Sequence, residues 1–202
     1  LGNDDVSRIA SKIGEKKSRL MALILLTLRG MAFIYYGEEL GMEDVKIPPR
    51  NIKDSWGKDT QDAKYARDPE RSPMQWNAEA NAGFSQETSW LPIHQNFLNV
   101  NAETESKNSK SILNLYKNII YFRKNSQALK YGKYFSYDSG NSNIFAFTRE
   151  GEKEKVLIVA NFSENMQKIN TSQIPRAKIV LNTGLDAEQK ETQLQNFELK
   201  PF

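Results

Sequence analysis

The alternation of apolar runs and polar breaks divides the start of the chain into a helix and a strand. Apolar residues cluster at 20–26 behind a polar stretch, which predicts a helix from Ser11 to Leu28 that is buried on most sides. Gly30 ends it, as glycine commonly does just past a helix. Residues Met31 to Tyr36 are continuously apolar and aromatic, which predicts a strand covered on both faces, as in a parallel sheet. Such a helix, short turn and buried strand form one unit of an alternating α/β barrel or of a doubly wound sheet.

No sustained hydrophobic period runs through the stretch from Glu43 to Ser106, which prolines and glycines interrupt repeatedly. A loop of this length in a compact domain is usually either functional or disordered. Its tryptophans, tyrosine and phenylalanines argue against disorder, because disordered segments are poor in aromatic residues. We therefore predict an ordered excursion that lines a site and contains short helical turns.

The clearest amphipathic helix is predicted from Asn108 to Gln127. Asn108 or Ser109 is expected to cap its start, and Arg123 suits the negative end of its dipole. The apolar positions follow the helical spacing and are Ile112, Leu115, Tyr116, Ile119 and Phe122.

The hydrophobic pattern changes at Leu129, from helical spacing to short strand-like runs joined by turns. We therefore predict a domain boundary between residues 1–128 and 129–202. Phe145 and Phe147 are expected on one face of their strand. Consecutive strands with short connections predict an antiparallel sheet or sandwich. The predicted strands are Tyr131–Tyr137, Asn143–Arg149, Lys155–Phe162, Met166–Ile169, Lys178–Leu181 and Thr192–Leu199.

Composition excludes several classes of function. The 202 residues carry a net charge of +3 without a basic run interleaved with aromatics, so a nucleic-acid partner is not expected. The chain has no cysteine and His94 is its only histidine, which excludes thiolate and multi-histidine metal sites; no cofactor is predicted. The apolar run at 20–26 is too short for a membrane span. No secretory signal opens the chain, which favours the cytoplasm, although the start looks truncated. Triplets at Asn161 and Asn170 match glycosylation acceptors, a pattern frequent by chance.

Two adjacent carboxylates, Asp4 and Asp5, precede the first helix among small polar residues. Acidic residues are common at helix N-termini, where they complement the dipole. The same pattern is typical of a loop at the carboxyl end of a buried barrel strand, with the strand itself upstream of Leu1.

The segment LGNDDVSR at residues 1–8 resembles the fourth signature block of the family 13 glycoside hydrolases, the alpha-amylase family, where the pattern is Asn-His-Asp with an Arg three residues on. The resemblance implies that Asp5 is the transition-state-stabilising aspartate. Asp4 stands where the family has histidine. A carboxylate accepts hydrogen bonds where a neutral imidazole can donate one, and it adds like charge beside Asp5. With Asp4 in place of histidine, three alternatives are open for the longer protein to which this chain would belong: a weaker enzyme, a rebuilt pocket, or a loss of catalysis.

The segment RDPERSPMQW at residues 67–76 resembles the RDxxRTPMQW block of bacterial alpha-glucosidases and oligo-1,6-glucosidases, with Ser72 in place of threonine. YYGEELGM at 35–42 and VANFS at 159–163 are also similar to that family. The resemblance implies that Arg71 reaches into the sugar pocket and pairs with a carboxylate. For Arg67 a substrate-binding role and a structural role in the loop stay equally open. Without the block, both arginines would be read as surface ion pairs of little energetic value.

The resemblance implies an α/β plus all-β fold: the C-terminal part of a TIM (β/α)8 barrel at residues 1–128, followed by an antiparallel β-sandwich domain. It further implies part of a retaining alpha-glucosidase acting on short alpha-linked glucosides of the maltose or isomaltose type. The nucleophile and the acid/base would lie upstream, so the chain would need the missing N-terminal barrel part and be inactive alone. The alternatives are a non-catalytic relative such as an amino-acid-transporter heavy chain, a transglycosylating or isomerising enzyme, and a separate sugar-binding module.

Overall fold

The computed structural model describes residues 1–60, 65–169, 171, 173–195 and 197–202. The chain forms two compact units, the first from Leu1–Ser18 and Phe33–Asn114 and the second from Arg19–Ala32 and Leu115–Phe202. The domain boundary predicted after residue 128 stays a prediction. The second glycosylation triplet cannot be followed further, because Asn170 and Ser172 lie outside the described residues.

The first helix, α1, spans Ile9–Thr27 and confirms the predicted element. Asp44 accepts hydrogen bonds at its start from the Ser7 hydroxyl and from the Arg8 amide, the latter at 2.9 Å. Backbone donors at a helix start lack partners within the helix, so this carboxylate stabilises the helix at that point. Gly14, with φ of 77°, interrupts the helical geometry within the first half.

The strand predicted from Met31 to Tyr36 is not formed in this structure. Residues 31–35 carry no strand assignment, and Met31 and Phe33 are 81% and 73% exposed. A parallel strand is stable only when neighbours on its edges satisfy its backbone amides and carbonyls. Within the described residues no strand pairs with this segment. The apolar pattern is present, but the partner that would make it a strand is not.

The long excursion is ordered and built from short helical turns, as predicted, in its described part. Two of these elements are α-helices, α2 at Ser55–Thr60 and α3 at Ala102–Lys107. A small core of Val45, Ile47, Ile52, Ala66 and Leu91 holds part of the excursion together. The remaining turns are 3-10 helices at Pro49–Asn51, Pro69–Arg71, Ala80–Gly83 and Gln95–Leu98.

The predicted amphipathic helix is confirmed as α4, Ile112–Asn125, with a short α5, Gln127–Tyr131, directly after it. The expected cap is wrong. Ser111 caps α4 by accepting from the Asn114 amide at 3.1 Å, whereas Asn108 ends α3. Asn108, Ser109 and Ser111 are all residue types that cap helices, so the sequence alone could not select among them.

Two arginines of the second unit complete the C-terminal end of α1. Arg123 donates to the carbonyls of Leu26 at 2.6 Å, Leu28 at 2.9 Å and Gly30 at 2.6 Å. The fully buried Arg149 donates to the Thr27 carbonyl at 2.8 Å. Burial of Arg149 lowers the pKa of its guanidinium. These bonds satisfy carbonyls that have no partner within the helix.

Within the described residues, the chain after α5 forms three antiparallel sheets, which confirms the antiparallel β structure predicted for the C-terminal part. The first sheet has the order β1-β2-β3 and strands Lys133–Ser136, Ile144–Glu150 and Lys155–Asn161. Phe147 is fully buried and packs against Phe145 at a ring distance of 5.4 Å, so both lie on one face as expected. The other strands form two pairs, β4 (Gln167–Ile169) with β7 (Phe197–Leu199), and β5 (Arg176–Lys178) with β6 (Glu191–Gln193).

Two of the later strand predictions need correction. The strand expected over Lys178–Leu181 lies at Arg176–Lys178, and the single strand expected over Thr192–Leu199 is two short strands in different sheets. Asn196 falls in the second prediction and lies outside the described residues.

Candidate active site

Asp4 and Asp5 form a tight turn closed by a β-bridge between Asn3 and Val6. The Asn3 side chain accepts the Asp5 amide at 2.8 Å, which fixes the direction in which the Asp5 side chain leaves the backbone. The two carboxyl side chains are 69% and 58% exposed. The turn therefore presents two adjacent carboxylates at the surface of the first unit.

Two guanidinium groups from the excursion converge on the Asp5 carboxylate. Arg67 and Arg71 each place a nitrogen 3.0 Å from its Oδ1 atom. Arg71 also donates from Nε to the Asp4 carbonyl at 2.7 Å, and a second nitrogen lies 3.9 Å from the Asp4 carboxylate. The structure thus brings together all four residues that the sequence singled out.

Asp54 belongs to the same cluster, and sequence reasoning missed it. Its side chain is only 3% exposed and accepts from Arg67 at 2.7 Å, while a nitrogen of Arg71 lies 3.6 Å away. The hydrogen bonds from Arg67 hold the pKa of this carboxyl below its ordinary value. Asp54 directly precedes α2, so its position was readable as a helix cap, but nothing local indicated that it would reach the arginines.

Asp68 fixes the backbone at Lys53 and Asp54. It is buried and accepts the amide of Lys53 at 2.6 Å and that of Asp54 at 3.1 Å. Asp68 thereby fixes the backbone from which the Asp54 carboxylate extends toward Arg67.

Two tyrosines hold the backbone on either side of Arg71. The Tyr35 hydroxyl donates to the Glu70 carbonyl at 3.1 Å, and the Tyr36 hydroxyl donates to the Ser72 carbonyl at 2.6 Å. Pro69 is the first residue of the 3-10 turn that ends at Arg71. The proline ring fixes the φ angle of Pro69, which favours the start of such a turn. The arginine therefore extends from a backbone fixed at both ends.

Arg8 fixes the tyrosine segment in turn. It is fully buried, donates to the Tyr36 carbonyl at 2.5 Å and lies over the rings of Tyr35 and Tyr36 at 5.0 and 4.6 Å. A Cβ on Gly37 would lie 2.9 Å from an Arg8 nitrogen and 2.5 Å from the Met42 sulfur, so only glycine fits there.

Two glutamates near the arginines, Glu70 and Glu39, have raised pKa values. Burial raises the pKa of Glu70 to about 7; the Asp44 charge adds to the shift, and Arg71 and Arg8 oppose it. Burial also raises the pKa of Glu39. One Glu39 oxygen is buried and finds no hydrogen-bond partner in the described part of the chain.

A cavity of about 460 Å³ opens beside Arg71, and we call it the aromatic cleft. Its polar members are Arg71 and Glu39. Its remaining walls are Tyr36, Pro73, Met74, Trp76, Phe84 and Trp90.

The cluster can stabilise positive charge and orient a polar ligand. A fixed carboxylate such as Asp5 favours a neighbouring group that gains positive charge during a reaction. The planar guanidinium of Arg71 can hold that carboxylate and also donate to hydroxyl groups. Among the described residues, no three histidine, cysteine or acidic side chains are grouped to hold a metal ion. No helix in the described ranges is long and apolar enough to cross a membrane.

The site thus lies on an acidic turn, the helix after it and an arginine-bearing excursion, and antiparallel strands follow these elements in the chain. Residues 1–132 match the family described as "Alpha amylase, catalytic domain", and residues 144–202 match "Alpha-amylase SusG C-terminal domain". The chain belongs to the alpha-amylase family. The predicted family and fold class are thereby confirmed.

Curated proteins and solved structures agree with this assignment. Maltase 1 of Drosophila virilis is 35% identical over 199 residues, which cover 94% of this chain and 31% of that protein. The oligo-1,6-glucosidase of Parageobacillus thermoglucosidasius is 28% identical, over 100% of this chain and 40% of that protein. The isomaltulose synthase SmuA from Protaminobacter rubrum superposes with a TM-score of 0.84 at 28% identity, over 100% of this chain and 40% of that one. The chain thus spans well under half the length of these relatives.

Proposed function

We propose that this chain forms part of a retaining alpha-glucosidase that hydrolyses alpha-linked glucose from short oligosaccharides of the maltose or isomaltose type. The similar maltase and oligo-1,6-glucosidase support this substrate class. The convergence of Arg67 and Arg71 on one oxygen of Asp5, each at 3.0 Å, is the observation that carries the proposal.

Asp5 is the transition-state-stabilising carboxylate in this proposal. Glycoside hydrolysis passes through an oxocarbenium-like transition state that gains positive charge at the sugar ring. An anion held in one position by two guanidinium groups needs little reorganisation to stabilise that charge, and such preorganisation is often the largest catalytic contribution.

Arg71 and Asp4 bind the substrate in this proposal, and Arg67 positions Asp5. Arg71 has donor capacity beyond its bonds to Asp4 and Asp5, because a guanidinium carries five N–H groups. Arg67 is held mainly by Asp54 and contributes by fixing Asp5. The exposed Asp4 carboxylate can accept a hydrogen bond from a sugar hydroxyl.

The nucleophile and the acid/base come from the N-terminal part of the barrel. Retaining glycosidases require both. The exposed apolar segment at Met31 to Tyr36 supports the same dependence, because its backbone and side chains have the character of a strand awaiting parallel neighbours.

Asp5→Asn in the full-length protein tests the proposal. The substitution removes the charge and keeps the shape, so we expect kcat on maltose to fall roughly 100-fold or more, the scale for losing one preorganised electrostatic contact. Asp59→Asn, at an exposed position on α2, is the matched control and should leave kcat unchanged. Retention of kcat within threefold in Asp5→Asn would remove Asp5 from the catalytic machinery.

A second candidate is sugar isomerisation, favoured by the similarity to solved isomaltulose and trehalulose synthases at TM-scores of 0.82 to 0.85. The two candidates differ in their products. Incubation with sucrose and with maltose, followed by chromatography, separates them, because an isomerase converts sucrose to a rearranged disaccharide and a hydrolase releases monosaccharides.

A further inference from the structure

Residues 35–45, which we call the connecting segment, hold the 3-10 turn that carries Arg71. The hydroxyls of its two tyrosines bond to the carbonyls of residues 70 and 72. At the other end of the segment, the Val45 amide donates to the Pro69 carbonyl at 3.1 Å. Val45 is buried in the small core of the excursion, so this bond is shielded from water. The turn with Arg71 is therefore fixed to the connecting segment at three carbonyls.

Asp44 joins the same segment to the acidic turn. Its carboxylate accepts the Arg8 amide at 2.9 Å and the Ser7 hydroxyl, and these two residues directly follow the bridge between Asn3 and Val6. The Asp44 amide donates to the Ser11 hydroxyl oxygen at 2.6 Å, within the first turn of α1. Side chain and backbone of one residue thus hold the chain on both sides of the α1 start.

These bonds form a short path between two residues that are far apart in the chain. Asp5 and Arg71 are 66 residues apart in sequence and meet at 3.0 Å. The Asp5 carboxylate is 58% exposed, and exposed ion pairs contribute little by themselves, so this contact does not fix the acidic turn alone. The path through Asp44 and its neighbour Val45 consists of hydrogen bonds to backbone groups, which define position more strictly than an exposed charge pair.

A simpler interpretation makes Asp44 a helix cap and nothing more. Its carboxylate does accept donors at the start of α1, and such contacts stabilise helices. A cap alone, however, does not require the adjacent residue to bond to the turn that carries Arg71, and Val45 makes that bond here. The two interpretations predict different kinetics, because a cap affects stability and a positioning contact affects the reaction at Asp5.

We propose that Asp44 is a positioning residue for the glycoside hydrolysis: it sets the place of Asp5 relative to Arg71 by holding Ser7 and Arg8 against the connecting segment. The inference rests on the proposed function and adds to it a residue that does not touch the substrate. Misplacement of a group in the site by about 1 Å can cost roughly 100-fold in rate. Asp5 acts on the transition state, so loss of Asp44 should lower kcat and leave KM nearly unchanged.

The first test is Asp44→Ala in the full-length protein. We expect kcat on maltose to fall roughly tenfold or more and KM to stay within about twofold. The first unit should still fold, because the Arg8 guanidinium keeps its bond to the Tyr36 carbonyl at 2.5 Å. Glu43→Ala is the matched control, because it removes the adjacent, exposed acid, and it should change neither value.

Asp44→Asn is the rescue variant. Asparagine keeps an oxygen that can accept the Arg8 amide, and its own amide group can donate to the Ser7 hydroxyl oxygen. We therefore expect kcat to stay within about threefold of wild type. If Asp44→Ala does not fold, Ser7→Ala replaces it in every comparison, because it removes one bond to Asp44 and leaves the other.

A double-mutant cycle with Asp5→Asn distinguishes positioning from a purely structural role. If Asp44 acts through Asp5, Asp44→Ala should lower kcat by less than about twofold once the Asp5 charge is gone, since residues that act through one another are not additive. An equal fall in both backgrounds would overturn the inference. So would wild-type kcat in Asp44→Ala, or a fall in Asp44→Asn as large as that in Asp44→Ala.

Hydrogen exchange separates this inference from the proposed function. In Asp44→Ala the amides of residues 5–12 should exchange faster than in wild type, while those of β2 and β3 keep their protection. Absence of turnover by the wild-type protein would refute the proposed function. Faster exchange at residues 5–12 would then still support the hold of Asp44 on the acidic turn, and unchanged exchange would overturn it.

Discussion

Arg71→Ala removes the contacts that join the acidic turn to the excursion. In the structure Arg71 donates to the Asp4 carbonyl at 2.7 Å, lies 3.0 Å from the Asp5 carboxylate and approaches Asp54 at 3.6 Å. The substitution leaves the Arg67–Asp54 pair intact, with its 2.7 Å contact. We therefore expect the first unit to fold while Asp5 loses one of its two guanidinium partners.

The expected loss can be estimated from the hydrogen bonds. A hydrogen bond to a charged group contributes about 1.5–3 kcal/mol, and exposed ion pairs lie well below that range. Arg71 is 23% exposed and Asp5 58%, so the lower end applies. A loss of about 1.4 kcal/mol in the transition state corresponds to a tenfold fall in kcat/KM. We therefore expect kcat/KM on maltose to fall by roughly tenfold or more.

The assay is steady-state hydrolysis of maltose by the full-length protein, with thermal unfolding measured on the same samples. Arg71→Lys is the informative second variant. Lysine keeps the charge but cannot hold the Asp4 carbonyl and the Asp5 carboxylate with one planar group, so only part of the activity should return. Arg50→Ala, at an exposed arginine of the same excursion, is the control.

A kcat/KM for Arg71→Ala within twofold of wild type would refute the reasoning, because it would mean that the contact to Asp5 does not contribute in the transition state. Full recovery in Arg71→Lys would reduce the role of Arg71 to that of a point charge.

The remaining predictions concern Asp4, Glu70 and the chain alone. Asp4→His is expected to raise activity on maltose, since imidazole restores a donor and removes a like charge beside Asp5; lower activity would assign Asp4 to a rebuilt, working pocket. Glu70 has a folded pKa of about 7 against an ordinary 4.5, so the native state binds more protons between these values and stability falls as pH rises through that window. We expect the free energy of unfolding to be lower at pH 7 than at pH 4.5. Denaturant unfolding at both pH values measures it, and a Glu70→Gln variant with the same pH dependence would contradict it. The 202 residues alone are expected to give no more turnover of a chromogenic alpha-glucoside than the same chain with Asp5→Ala.

Local pattern determined the elements whose stability depends on their own residues. The helical spacing at Ile112 to Phe122 predicted α4, and alternating or continuous apolar runs predicted β1 to β3, all of which the structure contains. α4, β2 and β3 bury residues that the sequence itself marks as apolar, so the local pattern was sufficient for these three elements. The four site residues were predicted from the resemblance of residues 1–8 and 67–76 to the blocks of a known family.

Tertiary structure decided the features that depend on partners distant in sequence. Met31 to Tyr36 has the pattern of a buried strand, yet a strand is made by hydrogen bonds to its neighbours, and the described residues supply none. Asp54 meets Arg67 and Arg71 only because Asp68 and two tyrosine hydroxyls fix the intervening backbone.

The left-handed turn at Asn81 to Gly83 is a second feature that local sequence preference does not predict. Gly83 alone indicated a turn, and the positive φ of Ala82 opposes local preference and is enforced by its buried carbonyl contacts. Sequence thus predicted which residues carry the chemistry, and it predicted the helices and the first three antiparallel strands. Their convergence on Asp5 and the exposure of the aromatic cleft follow from hydrogen bonds and burial between segments that are far apart in the chain, where no local pattern can encode them.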